Sequence, residues 1–289
     1  MSGWIDARGA SFESHFARRE STSFTHSLHD HPLLKVEAVA DLADRLAKDS
    51  VICDEAVKPL LVPGGGPPRG VQPRPGDLIR DLEHSGTWLT LLNIEQDQAY
   101  RQLVDECLDE LAPFVERFAG DMRRRVGFLF VSSPNSVTPA HFDLEHSLPM
   151  QVQGSRTLTI GRFTTMRDAD NEVRRYWNGS HGRMESLPEE SVSYPMEAGV
   201  GAYIPPLVPH WITNGPTSSV SMTLTFFTKD TDERSLIQAF NHRVERLRMK
   251  PTPPGHSLVR DAAKVAFMRA YALRRTFTGG GEGATDSHT

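Results

Sequence analysis

Along the middle of the chain, apolar positions recur in short β-branched and aromatic runs. These are Gly127-Phe128-Leu129-Phe130-Val131, Arg156-Thr157-Leu158-Thr159-Ile160 and Val220-Ser221-Met222-Thr223-Leu224-Thr225-Phe226-Phe227. Pro, Gly and Asn clusters bound each run, which predicts strands. The last run alternates Ser221, Thr223 and Thr225 with Met222, Leu224 and Phe226. That period of two predicts a strand with one face toward a polar cavity.

On either side the period lengthens to that of a helix. Val39, Leu42, Ala43 and Leu46 carry helical spacing. Asp97 opens a helix whose apolar stripe is Tyr100, Leu103, Val104, Cys107, Leu108 and Leu111. Pro113 is placed to start a second short helix, and Gly120 to cap its C-terminus. After Thr228, Asp230 with Glu233 resembles a capping pair, and Leu236, Phe240, Val244 and Leu247 give a helical face. The stretch from Pro251 to Gly255 breaks that helix. Ser257 can cap a last one, whose Arg274 and Arg275 suit its negative end.

Other segments lack periodicity. Residues 1–30 are polar and read as a loosely ordered lead-in, and 62–76 are rich in Gly and Pro and read as an irregular connection. The triple glycine Gly64-Gly65-Gly66 is not followed by the Lys-Ser/Thr pair of a phosphate loop. Residues 164–195 are charged and irregular, an insertion long enough to be functional or mobile. The Gly-rich tail 279–289 is expected to be disordered. The chain thus divides into 1–125, a lead-in with helices packing on a β core; the core itself, 126–228; C-terminal helices, 229–278; and the tail.

Composition excludes more than it selects. At 289 residues the chain can bury a sizeable core. A net charge of -5 gives no support to a nucleic-acid or membrane surface role. The first residues lack a basic region followed by an apolar run, so no signal peptide is expected, and two cysteines, Cys53 and Cys107, suit a reducing cytoplasm. Cys107 lies on the apolar side of its helix and reads as a buried structural thiol.

The chemistry is concentrated in Thr138-Pro139-Ala140-His141-Phe142-Asp143 and, much later, Val208-Pro209-His210-Trp211. An H-x-D triplet alone matches easily by chance in a chain with twelve histidines. On an extended segment, however, His141 and Asp143 project to the same side and can grip one ion. His210 follows the strand-like run Tyr203-Ile204-Pro205-Pro206, and a barrel would bring the two pieces together. Two nitrogen donors and one oxygen donor on one face of an ion, with the other face open, favour non-heme Fe(II) and oxygen chemistry. His29-Asp30-His31 also has a metal-like pattern, but Pro32 follows it in a loop context. Trp211 reads as packing, Tyr203 as either core or cavity lining, and His146 as lying near the ion or on the surface rather than as a fourth ligand.

Three motifs in order carry a family resemblance: Ser132 to Asp143, Gln151-Val152-Gln153-Gly154-Ser155-Arg156, and Pro209-His210-Trp211-Ile212-Thr213-Asn214-Gly215. They resemble the cupin-like, JmjC-type Fe(II)/2-oxoglutarate oxygenases, in particular bacterial cupin-like domain proteins related to asparaginyl hydroxylases. The resemblance covers 126–228 and is traceable over 77–125, where Trp88 and Tyr100 fit the pattern. It implies a mainly β fold, a double-stranded β-helix (cupin or jelly-roll barrel) with N- and C-terminal helical additions. It implies iron ligands at His141, Asp143 and His210, and 2-oxoglutarate held by Thr138 and Arg156, with Ser147 and Thr225 lining the same pocket. The chain departs from the family where Arg156 replaces the usual lysine, and where Ser147 and Thr225 replace asparagines. Arginine can still bind a carboxylate at two points, whereas Ser147 and Thr225 lose amide donors.

The expectation is therefore a cytoplasmic Fe(II)- and 2-oxoglutarate-dependent dioxygenase, a hydroxylase of a peptide, protein or small molecule. Two chains could pair through the C-terminal helices. The rival readings are a non-catalytic metal- or ligand-binding cupin sensor, which the changes at Ser147 and Thr225 favour, and a metal cupin that does not use 2-oxoglutarate.

Overall fold

The structure, a computed structural model, describes residues 3–6, 10–62 and 74–278. Most of the Gly/Pro-rich connection and the whole tail therefore lie outside the described residues. The N-terminal part contains β1 (Ile5–Asp6), α1 (Ala10–Arg18), β2 (Thr22–His26), α2 (Val36–Arg45), β3 (Val51–Glu55), α3 (Pro75–Arg80), β4 (Thr87–Leu91) and α4 (Gln98–Ala119). Then come β5 (Arg123–Ser132), β6 (Val137–His141), β7 (His146–Gln153), β8 (Ser155–Arg162), α5 (Met166–Arg175), β9 (Glu190–Glu197), β10 (Val200–Tyr203), β11 (His210–Asn214) and β12 (Ser219–Phe227). Two helices follow, α6 (Lys229–Arg246) and α7 (Leu258–Thr278).

The strands form two antiparallel sheets. The larger has the order β1-β2-β10-β7-β12-β5-β4-β3, and the smaller β6-β11-β8-β9. Both contribute to the wall of one cavity. Gly154, with φ of +74°, turns the chain from β7 in the large sheet into β8 in the small one. A Cβ there would lie 2.3 Å from the carbonyl oxygen of Ser218, so both conformation and space select glycine.

The main core lies behind the large sheet. On β12, Met222, Leu224 and Phe226 join Leu148, Met150, Leu129 and Val131 in a cluster with the helices, while Ser221, Thr223 and Thr225 line the cavity. Full burial of side chains of this size stabilises by about 1.5–3 kcal/mol each. α4 supplies the opposite face with Tyr100, Leu103, Val104, Cys107, Leu108, Leu111 and Val115. It approaches so closely that a Cβ at Gly127 would sit 2.6 Å from Val104. Asp97 caps this helix by accepting from the Ala99 N–H, and Gly120 ends it at φ of +77°. Cys107 is buried, which pushes its thiol up, and Cys53 is half-buried; both are free.

Several expectations are corrected. The described residues of 1–30 are not a loose lead-in: β2 pairs with β10 over four residues, and Phe12, Phe16 and Phe24 are buried. The Ser and Arg residues between them mask an aromatic i, i+4 pair on α1. Pro113 does not start a new helix but lies inside α4, because Phe114 and Val115 continue the apolar face, Phe114 packing on Phe12 and Phe16. The 164–195 stretch holds α5, with a Thr165/Asp168 capping box, and most of β9. Its Val173 and Tyr176 pack with Phe142 and Phe227. α6 is capped by Thr228 and Thr231 rather than by Asp230 and Glu233: the Thr231 hydroxyl accepts from the Thr228 N–H at 2.8 Å. Its Leu247 is exposed, and Ile237 and Ala239 are buried instead.

His146 ties the N-terminal helix to the barrel. Its ring lies between Phe226 (centroids 5.0 Å apart, planes 9° apart) and Phe16 (5.5 Å, 28°). Its nitrogens meet the Tyr203 hydroxyl at 2.9 Å and the Thr228 hydroxyl at 3.3 Å. It therefore sits in the core and not among the residues that line the cavity. Burial lowers its pKa from 6.5 to about 3. In that interval the unfolded chain binds a proton that the folded chain does not, so stability falls as pH drops. His26, lowered to about 4 by burial, acts with the same sign. Replacing His146 with Gln is expected to shallow the acid slope between pH 6.5 and about 3, by up to about 1.4 kcal/mol per pH unit. Urea unfolding across that range measures it, and parallel slopes for the two proteins would contradict a neutral buried ring.

Candidate metal centre and its cavity

β6 and β11 run antiparallel with His141 directly opposite His210. The register shifts between His210 and Ile212, an irregularity of the kind that re-aims side chains beside functional sites. The two imidazole centroids are 4.2 Å apart. Asp143, just past the end of β6, places one carboxylate oxygen 3.9 Å from Nε2 of His141 and the other 3.5 Å from Nε2 of His210. One ligand atom from each of the three residues lies within 4.8 Å of the others.

The tautomers are fixed locally. Nδ1 of His141 is 2.8 Å from the Pro139 carbonyl oxygen, and Nδ1 of His210 is 3.0 Å from that of Val208. Each ring can donate Nδ1–H to a carbonyl two residues earlier and leave Nε2 as a lone-pair donor, the usual support for a metal-binding histidine. Burial, together with the neighbouring His210, lowers the pKa of His141 to about 3. The imidazole is thus neutral, as ligation requires, well below the ordinary histidine range. Two imidazoles and one carboxylate on one side of a space could hold a divalent ion of the Fe(II) class.

The triad opens into a cavity of about 860 Å³. Thr138, Arg156, Ser147 and Thr225, the remaining site residues picked from the sequence, all line it. Arg156 is not a solvated strand residue: it is 5% exposed. Its guanidinium donates to the Ser221 hydroxyl at 2.8 Å, while Nε and the other terminal nitrogen have no partner among the described residues. Burial lowers its pKa to about 9. A buried cation with two unused donors is costly on its own and complementary to a carboxylate.

The sequence also left some lining residues unassigned. Ile212 and Asn214 face the cavity with His210, as strand alternation allows. Lys58 and Arg183 come from loops, where no periodicity signals which way a side chain faces. Glu145 is buried, and burial with the nearby Asp143 carboxylate holds it well above the usual carboxylate range. Tyr203 belongs to the core, and Trp211 packs with Ala140 and Met184. His29, Asp30 and His31 do not assemble a metal-ligating cluster: the His31 side chain instead accepts from the Leu33 N–H as a helix cap.

Replacing Asp143 with Ala is expected to abolish stoichiometric Fe(II) binding, because the two remaining imidazoles supply neither the third donor nor its charge. Metal analysis of the purified variant checks this, with circular dichroism to verify the fold. Full iron content would place the ion elsewhere.

No protein-family model matches the sequence, and no curated protein matches it. Solved structures do. One of E. coli YcfD covers 95% of this chain and 70% of its own, with a TM-score of 0.52 at 16% identity. A second, of the E. coli ribosomal oxygenase YcfD, gives 0.50 at 15%, covering 95% and 69%. A third, of YcfD in complex with cobalt and 2-oxoglutarate, matches with the same values. The likeness is one of fold: this chain shares with YcfD a β-rich, cupin-type architecture with helical flanks.

Proposed function

We propose that this protein is an Fe(II)- and 2-oxoglutarate-dependent oxygenase, a hydroxylase of a peptide, protein or small-molecule substrate. The observation that carries the reading is the pairing, in one cavity, of a facial His-Asp-His set with a buried guanidinium that has two unused nitrogens. His141, Asp143 and His210 would hold the metal, and the carbonyls of Pro139 and Val208 keep both imidazoles in the ligating tautomer. Bound there, iron supplies oxygen activation coupled to oxidative decarboxylation of 2-oxoglutarate to succinate. Arg156, steadied by Ser221, would take the distal carboxylate at two points, with the Thr138 hydroxyl adding a donor.

Cobalt and 2-oxoglutarate in a YcfD structure support the same cofactor pair, and YcfD's description as a ribosomal oxygenase keeps a protein among the substrate candidates. No described helix is long and apolar enough to cross a membrane, which fits the cytoplasmic location included in this reading. Exposed Val259, Phe267 and Leu273 on α7 support pairing of two chains through the C-terminal helices. The sensor reading draws on one observation: Ser147 and Thr225 are direct partners across β7 and β12, so both amide replacements fall at one spot.

With Fe(II) and oxygen, the protein is expected to convert 2-oxoglutarate into succinate. Arg156→Ala should weaken 2-oxoglutarate binding about tenfold to a hundredfold, the usual worth of a charged hydrogen bond. The metal-to-ligand absorption band, followed anaerobically, reads this without turnover. Binding without turnover would favour the sensor, and equal binding by the variant would remove Arg156 from the pocket. Arg156→Met is expected to stabilise the ligand-free protein, by about 1–3 kcal/mol, since it deletes buried donors that lack partners. A lower unfolding free energy for that variant would show that the native chain satisfies the guanidinium by itself.

A further inference from the structure

The co-substrate reading gives Arg156 a role and leaves a second guanidinium in the same cavity without one. Arg183 lies in the loop between α5 and β9, and this loop is laid along the end of β6 by two backbone bonds. Met184 N–H donates to the Ala140 carbonyl at 3.1 Å, and Phe142 N–H donates to that of Gly182 at 3.2 Å. Those bonds bracket His141, so Arg183 is held beside the triad and not on a free loop. Gly182 makes the approach possible: its φ is +82°, and a Cβ there would meet the Phe142 oxygen at 2.2 Å.

The charges around Arg183 are already engaged. Asp54 forms an ion pair with Lys58, which in turn stands 5.6 Å over the Trp88 ring. Asp143 lies against the two imidazoles. Among the described residues the one hydrogen bond of the Arg183 side chain goes to the Pro139 carbonyl, at 3.3 Å. Arg183 forms no ion pair within 4.0 Å among these residues. Part of the cavity lining is apolar. Ile52, Trp88, Phe128 and Phe130, from β3, β4 and β5, face the cavity, with Trp88 and Phe130 stacked at 6.2 Å. A volume of about 860 Å³ falls in the range of small-molecule sites and leaves room beyond a five-carbon diacid.

We propose that Arg183 determines substrate specificity by binding the carboxylate of a small amphipathic acid whose apolar body lies against the Trp88–Phe130 wall. This rests on the oxygenase reading for the role of the bound acid as substrate. The planar guanidinium suits two-point contact with a carboxylate, and its charge disfavours an amine.

The probes are 3-phenylpropanoate, its uncharged amide and the matching amine, titrated calorimetrically into anaerobic Fe(II) protein with and without 2-oxoglutarate. The acid is expected to bind at least about tenfold more tightly than the amide, the worth of a charged hydrogen bond, and the amine more weakly than either. Arg183→Gln should erase the acid's advantage, Arg183→Lys should restore part of it, and 2-oxoglutarate should bind both variants as it binds the wild type. Equal binding of acid and amide by the wild type, or preference for the amine, would overturn the proposal without needing any variant. Loss of 2-oxoglutarate binding in Arg183→Gln would move the residue to the co-substrate pocket. Loss of iron would reduce it to a support for His141 through Pro139. If the wild type binds no 2-oxoglutarate, the oxygenase reading falls, and the acid–amide contrast in the iron-only protein still decides Arg183.

Discussion

The period of two along β12 is the constraint on which the rest of the fold depends. Its apolar side chains, Met222, Leu224 and Phe226, turn away from the barrel, and its hydroxyls, Ser221, Thr223 and Thr225, turn inward. A barrel that keeps so large a cavity, lined in part by hydroxyls, gains less from burying its own interior. Its stabilisation has to come from apolar surface behind the large sheet, at roughly 25 cal/mol per Å² removed from water. That requirement explains why α1, α2 and α4 are present and why α4 runs on through Pro113. It also explains why Phe12, Phe16 and Phe24, in the most polar-looking part of the chain, are buried. The helices are the other half of the core that frees the barrel interior for chemistry.

A polar interior still has to be satisfied, and it is satisfied unevenly. The imidazoles of His141 and His210 each lie at hydrogen-bonding distance from a backbone carbonyl two residues earlier, so local chain geometry fixes their orientation. His146, on the far side of the sheet, has both nitrogens engaged by hydroxyls. Arg156 alone among these groups holds donors with no partner, and it points into the cavity. Other buried polar atoms, Thr90 Oγ1 in the same cavity included, also lack partners among the described residues, but a buried cation with open donors facing a cavity is the group complementary to an anionic ligand.

How much of this could be read from the sequence depended on whether a residue's role is local. The strands around Phe128, Leu158 and Leu224, the Asp97 cap and the H-x-D triplet announce themselves through neighbours close in sequence. Thr138, Ser147, Arg156 and Thr225 were reached through family motifs, and all line the cavity. The failures are residues defined by distant partners. Phe16 is core because it meets Phe114 and Tyr203, and the polar stretch around it says nothing of either. Arg183 faces the cavity because its loop is hydrogen-bonded to β6, a pairing with no periodic signature. Tyr203 could be read as core or cavity until its hydroxyl was seen to meet His146, which is itself buried.

The three departures from the family pattern separate in space, and that limits what each can change. Arg156 reaches Ser221 at one end of the inward face of β12. Ser147 and Thr225 are paired at the other end, four residues along, roughly 13 Å away at the rise of a strand. Ser147 is also two residues from Glu145, whose carboxyl burial and, after it, the Asp143 charge hold above the usual carboxylate range. Along β8, Arg156 lies opposite Asn214 and Ile160 opposite His210, so the arginine stands four residues along the strand from the position facing His210. What the two hydroxyls alter is the set of donors at their own end of the strand, where a side chain shorter than asparagine leaves space that water or a bulkier ligand can fill.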